Sequence, residues 1–220
     1  MEIEIWSDVA CPWCYVGKRR FEAALAEFEH AGETTLTWRS FELDPEAPLE
    51  RPGEGAAHLA EKYGMTVEQA RESQAGLAAT AAGEGIEMRF DIQRMGRTFD
   101  AHRLVHLAAE HGIQDAVKER LMRAYFTEGA LMSDHATLVA LAGEAGLDPE
   151  EARATLASDR FAAEVRADER DAQQLGISAV PTFVVDRALG VSGAQPAEVL
   201  LSFLREGWAR QAAAPAESAG

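Results

Sequence analysis

Apolar and polar positions change period five times along the chain. Ile3 and Ile5 alternate with Glu2 and Glu4 at a period of two, which predicts a strand running to Trp6. Phe21, Leu25 and Phe28 then recur at helical spacing, and residues 30–32, ending in Gly32, close that helix. Residues 34–41 alternate again, with Leu36, Trp38 and Ser40 opposing Thr35, Thr37 and Arg39. A cluster holding Pro45, Pro48 and Pro52 ends the unit.

From about Ala56 to Leu175 the pattern is helix after helix. Thr66 and Gln69 form a capping box for a helix running toward Gly83. Thr98 caps the next, which carries Leu104, Leu107 and Ala108 up to Gly112. Asp134 begins another that ends at Gly146, and Asp148-Pro149-Glu150-Glu151 is a strong helix start. Phe161, Val165 and Leu175 belong to a last helix stopped by Gly176. The period then returns to two at Thr182, Phe183, Val184 and Val185. A turn at 186–189, a second short strand near Val191 and a final amphipathic helix after Gln195-Pro196 follow.

The order β-α-β, helical block, β-β-α predicts an α/β protein. Residues 1–52 and 176–211 make one thioredoxin-like unit, residues 53–175 an inserted all-helical domain, and residues 212–220 a disordered tail.

Composition narrows the function. At 220 residues the chain can bury a large core without structural disulfides. The start, MEIEIWSDVA, has no basic segment before an apolar run, so no signal peptide is expected. No stretch approaches the length of a membrane span, so neither is a membrane partner. A cytoplasmic location follows as the expectation. The net charge of −16 argues against nucleic acid and suits a neutral or basic partner. Monomer and homodimer are both open.

The only two cysteines lie in Cys11-Pro12-Trp13-Cys14, directly after the first strand. A CxxC opening a helix is a redox device: the helix N-terminus favours a thiolate, and the thiolate is the nucleophile. Pro12 fits the first helical position, Trp13 offers an apolar surface to a partner, and Cys14 is one turn on. Zinc would need two more ligands, and no second CxxC exists. His102 and His106 share one helix face, which a buried or solvated face explains without metal. Val180-Pro181-Thr182 places a proline at the head of a strand, where a cis bond is cheap. Its backbone can pair with an extended substrate.

The runs IWSDVACPWCYVGKRRFE, TFDAHRL at 98–104, AYF at 124–126, LGISAVPTFVVD and VSGAQ at 191–195 together resemble the FrnE-like branch of the DsbA family. The resemblance implies a thioredoxin fold with a helical insertion and a dithiol that exchanges disulfides as oxidoreductase or isomerase. It makes Cys11 the solvent-facing nucleophile, Cys14 the buried resolving thiol, Pro181 a cis-proline and Val180 the substrate-facing residue. Pro12, Trp13 and His102 complete the substrate surface, with His102 and Arg103 shaping a cleft from an overhanging helix. No cofactor is implied, although a small thiol such as glutathione or mycothiol is a suitable redox partner. Substrates are disulfide- or thiol-bearing proteins or small molecules.

Three positions depart from the family. Arg97 stands where members often carry asparagine before Thr98. Ile5 stands where several thioredoxin-like enzymes place a buried acid, so the proton acceptor for Cys14 lies elsewhere or is water. Asp8, the nearest acid, either relays a proton or is a solvated loop residue. Pro12-Trp13 lacks the histidine of DsbA, implying a milder oxidant. The same architecture resembles 2-hydroxychromene-2-carboxylate isomerase and kappa-class glutathione transferases, which leaves a glutathione-linked isomerase as the alternative. A redox sensor that reacts once is the non-enzymatic one.

Overall fold

The computed structural model describes residues 1–213. Strands β1 (Glu2–Ser7), β2 (Thr35–Ser40), β3 (Thr182–Val185) and β4 (Leu189–Ser192) form one sheet in the order β2-β1-β3-β4. β1 pairs with β2 in parallel and with β3 antiparallel, and β3 pairs antiparallel with β4. The β1–β2 crossover is α1 (Pro12–Ala26), as a parallel pair requires. Helices α2 (Gly55–Tyr63), α3 (Val67–Gly83), α4 (Phe99–Glu110), α5 (Gln114–Thr127), α6 (His135–Glu144), α7 (Pro149–Leu156) and α8 (Ala162–Gln174) occupy the chain between β2 and β3. α9 (Ala197–Ala213) closes it. The chain is thus an α/β protein with a thioredoxin-like sheet interrupted by helices.

Alternation along β1 decides what each face carries. Ile3 and Ile5 point into the main core with Phe183 and Val185. There Phe21 of α1 stacks on Phe183 with ring centroids 5.2 Å apart. Leu104, Leu121 and Phe126 of the helical block belong to that same core, so insertion and sheet share one interior. On the opposite face Trp6 and Val184 pack with Ala172 of α8. Glu4, on this face, is buried as well, because a helix covers it. Arg39 and Arg187 hold its carboxylate at 2.6 and 3.0 Å. Asp168 pins α8 to the sheet: its carboxylate accepts from the Ser40 N–H at 2.8 Å and meets Arg39 at 3.1 Å and His106 at 3.0 Å.

Several local expectations change. α1 stops at Ala26, and residues 31–33 form a separate 3-10 turn. The Thr66–Gln69 capping box is present, whereas the Thr98 side chain caps nothing. Its backbone (φ −108°, ψ −2°) is not in the extended conformation that aims a hydroxyl at the next turn. Phe161, expected inside a helix, is the left-handed residue before α8. Residues 212 and 213 of the expected tail are helical, and 214–220 lie outside the described residues.

Candidate active site

Cys11 is the N-cap of α1, in extended conformation with Pro12 at the first helical position. The Cys14 N–H donates to Cys11 Sγ at 3.3 Å, so the cap is made by the sulfur itself. Both cysteines are free thiols. Opposite them the Val180–Pro181 peptide is cis, and the Cys11 thiol donates to the Val180 carbonyl at 3.6 Å. Among the described residues no acceptor takes the Val180 N–H. Gly17 sets the approach of α1 to this loop: a Cβ there would lie 2.8 Å from Pro181 Cγ and 3.6 Å from Ala194. Any larger residue would push the proline off the helix.

The structure brings Cys11, Cys14, Val180 and Pro181 together, with Trp13 at the surface, 45% exposed, and Pro12 half-buried. It corrects the expectation that Cys11 faces solvent. Cys11 is 3% and Cys14 1% exposed, so the resting dithiol is buried as a pair. Burial and the neighbouring sulfur also reverse the expected acidity. The Cys14 sulfur, then desolvation, push the Cys11 thiol well above the ordinary range, outweighing the Cys14 N–H.

His102 is corrected too. It is fully buried beneath the site, with Nε2 3.4 Å from Asp8 Oδ1, so it lines no open cleft. Neither of its ring nitrogens makes a hydrogen bond among the described residues. Arg103 is buried as a clamp, donating to the carbonyls of Arg160, Thr155 and Ser158. Among the described residues no cluster of three or more His, Cys, Asp or Glu side chains is placed to hold a metal.

Asp8 is not a solvated loop acid. Its carboxylate accepts from the Leu43 N–H at 2.8 Å and the Ala10 N–H at 3.2 Å. Burial alone would raise its pKa, but His102 and these two amides together hold it below the usual carboxylate range.

Lys118 of α5 escaped the sequence reading. It is fully buried, donates to the Ser7 carbonyl at 3.1 Å and lies 5.6 Å from the centre of the Trp38 ring. Burial lowers its pKa to about 8, against the opposing pull of Cys14, Asp8 and Cys11. The signal was present in the spacing. Lys118 falls between Val117 and Leu121 on the apolar stripe of α5, where a solvated lysine does not belong.

Residues 2–205 match the DSBA-like thioredoxin domain. The probable DsbA oxidoreductase SCO1869 of Streptomyces coelicolor is 50% identical and superposes with a TM-score of 0.91, over 95% of this chain and 90% of that one. The uncharacterized protein YwbO of Bacillus subtilis is 27% identical over 187 residues, 84% of this chain and 86% of that protein. A cytosolic disulfide reductase, DsbM of Pseudomonas aeruginosa, solved with GSH, shares the fold at 18% identity (TM-score 0.66, 95% of this chain, 100% of that one).

Proposed function

The chain belongs to the DsbA-like thioredoxin domain family of thiol–disulfide oxidoreductases, and from that premise we propose that its Cys11–Cys14 dithiol reduces or exchanges disulfides in extended substrates laid along Val180. The observation that carries this reading is the pairing of Cys11 Sγ with the Val180 carbonyl, 3.6 Å away, beside an N–H that no acceptor among the described residues takes. A substrate strand finds one acceptor and one donor there, next to the sulfur it must meet. Trp13 and Pro12 give it apolar contact.

In the reducing direction the Cys11 thiolate attacks a substrate disulfide. A Cys11–substrate bond forms and one substrate thiolate leaves, taking a proton from water. Cys14, losing its own proton, attacks Cys11 Sγ and expels the second thiolate. Two electrons pass from the dithiol to the substrate, and two equivalents of a small thiol, glutathione or mycothiol, restore the dithiol by the reverse exchange. A nucleophile held above the ordinary thiol range favours this direction, because the reduced state gains little from thiolate stabilisation. A cytoplasmic setting suits it, and the GSH held by the cytosolic relative fits a small-thiol partner. Two free thiols at the site favour exchange over a glutathione-linked isomerisation.

Turnover of a small disulfide and of a disulfide-bonded peptide, each with a small thiol as reductant, tests the reading. Catalysis by the native chain and none by Cys11→Ser is the expected result. Unchanged rates in Cys11→Ser would overturn it.

A further inference from the structure

The exchange proposed above needs the Val180 peptide to stay opposite Cys11, and the sheet does not hold it there, because β3 begins only at Thr182. Proline has no N–H to give, so the segment must be tied down through its carbonyls. The Gly193 N–H donates to the Pro181 carbonyl at 2.7 Å. Residues 193–195 are therefore the ledge on which the cis-proline loop rests.

That ledge joins β4 to α9 and belongs to neither. Its internal bonds run from Gln195, whose N–H donates to the Gly193 carbonyl and whose side-chain amide donates to the Ser192 carbonyl, both at 2.9 Å. Apart from the Pro181 contact, one hydrogen bond reaches it from outside among the described residues: Arg20 Nη1 donates to the Ala194 carbonyl at 2.6 Å. Arg20 follows Gly17 by three residues on α1, so the two share a face. Gly17 lets the loop approach, and Arg20 ties the ledge. Of the three consecutive cations 18–20, Lys18 and Arg19 meet carboxylates of α1 and α5, and only Arg20 reaches this loop.

A second nitrogen of Arg20 is engaged as well. Its Nε donates at 2.6 Å to Oε1 of Glu84, the residue that caps the C-terminus of α3 in the helical block. An acid is disfavoured at that end of a helix, so Glu84 does not serve α3 itself. The planar guanidinium thus meets a carboxylate and a carbonyl through two of its own nitrogens, a geometry that a lysine ammonium does not reproduce. Both side chains are partly exposed, so the ion pair adds little to global stability. What it fixes is direction.

We propose that Arg20 is a positioning residue for exchange with extended substrates: braced by Glu84, it holds the 193–195 ledge against the Pro181 carbonyl and so keeps the Val180 peptide opposite Cys11. Through Glu84 the inserted helical block takes part in substrate alignment.

This inference rests on the exchange reading, and the experiment separates the two. Arg20→Met keeps an unbranched stem and removes both bonds. It should raise KM for a disulfide-bonded peptide about 5–20-fold while kcat changes by no more than about twofold, the pattern of lost binding along Val180. A small-molecule disulfide, which does not use Val180, should react within about twofold of the native rate. Glu84→Ala should raise the peptide KM about 2–5-fold, and adding it to Arg20→Met should change nothing further, because Glu84 acts through Arg20. In the chain without substrate, the Gly193 amide should exchange with D2O at least about tenfold faster in Arg20→Met, while the Ile5 amide in β1 keeps its native rate. Equal losses with both disulfides, an unchanged peptide KM, or unchanged Gly193 exchange overturns the proposal. Should Arg20→Met not fold, Glu84→Ala is held to the same outcomes. A Cys11→Ser chain that exchanges disulfides as fast as the native one defeats the exchange reading instead, and the Gly193 amide still decides whether Arg20 holds the ledge.

Discussion

Cys11 Sγ and the carbonyl oxygen of Val180 lie 3.6 Å apart, although 169 residues separate them in the chain. Two elements make that contact. The N-cap of α1 holds the sulfur, and the cis-proline loop, seated on Gly17, holds the carbonyl. The sulfur proposed to react and the backbone proposed to align a substrate are thereby fixed by one helix–loop packing.

Gly17→Ala tests that packing. Its Cβ would meet Pro181 Cγ at 2.8 Å, and overpacking of this kind costs about 1–3 kcal/mol. The melting temperature should fall by roughly 2–10 °C in a chain of this size. Exchange with a peptide disulfide should fall further than exchange with a small-molecule disulfide, since only the peptide uses Val180. Paired thermal denaturation and rate measurements check both parts.

Asp8 bears on the acidity of Cys11, the proposed nucleophile. Its buried negative charge is one of the influences that raise the Cys11 pKa. Asp8→Asn keeps the shape and removes the charge, so the pH midpoint for alkylation of Cys11, in the Cys14→Ser background, should move down by about 0.5–1. An upward movement would contradict the assignment.

Asp168 governs stability, not chemistry. Its removal leaves Arg39, His106 and the Ser40 N–H facing an empty site beside α8, and losing one partner of a buried pair costs about 3–5 kcal/mol. The pH dependence has a definite sign. Burial opposes ionisation, but His106, the Ser40 N–H and Arg39 together hold the folded pKa below the usual carboxylate range. The stabilisation is therefore present in full above the unfolded value of about 3.9 and is lost as pH falls through the lower folded value. The stability gap between the native chain and Asp168→Ala, read from denaturant unfolding, should be constant from neutral pH to about 5 and shrink below about 4.

Trp13 is the exposed member of the CPWC run, and it belongs to none of the buried clusters among the described residues. Trp13→Ala should change stability by about 0.5 kcal/mol or less. It should lower kcat/KM for apolar peptide disulfides by roughly 5–50-fold, as loss of an aromatic anchor does. A small hydrophilic disulfide should react at the native rate.

Much of this was legible in the sequence for a physical reason: period and punctuation are local. The alternation at Ile3 and Ile5, the Thr66–Gln69 box, the Asp148-Pro149 start and the dithiol at a helix N-terminus each lie within one element. The burial of Glu4, Asp8 and Cys11 was not legible, because it depends on which helix returns to cover them. His102 shows the same limit. A histidine at helical spacing reads alike whether its face meets substrate, water or Asp8, and only the docking of α4 against the β1–α1 loop decides. Lys118 lay between these cases, since its place on the apolar stripe of α5 was visible but its neighbours were not.

The most direct test of the account is to expose Cys14→Ser to a disulfide-bonded peptide, quench with acid and map the adduct by mass spectrometry. The account predicts one peptide per chain, joined to Cys11, and an intramolecular Cys11–Cys14 disulfide in the native chain under the same conditions. Absence of an adduct at Cys11, or a Cys11→Ser chain that captures the peptide on Cys14 at an equal rate, would contradict it.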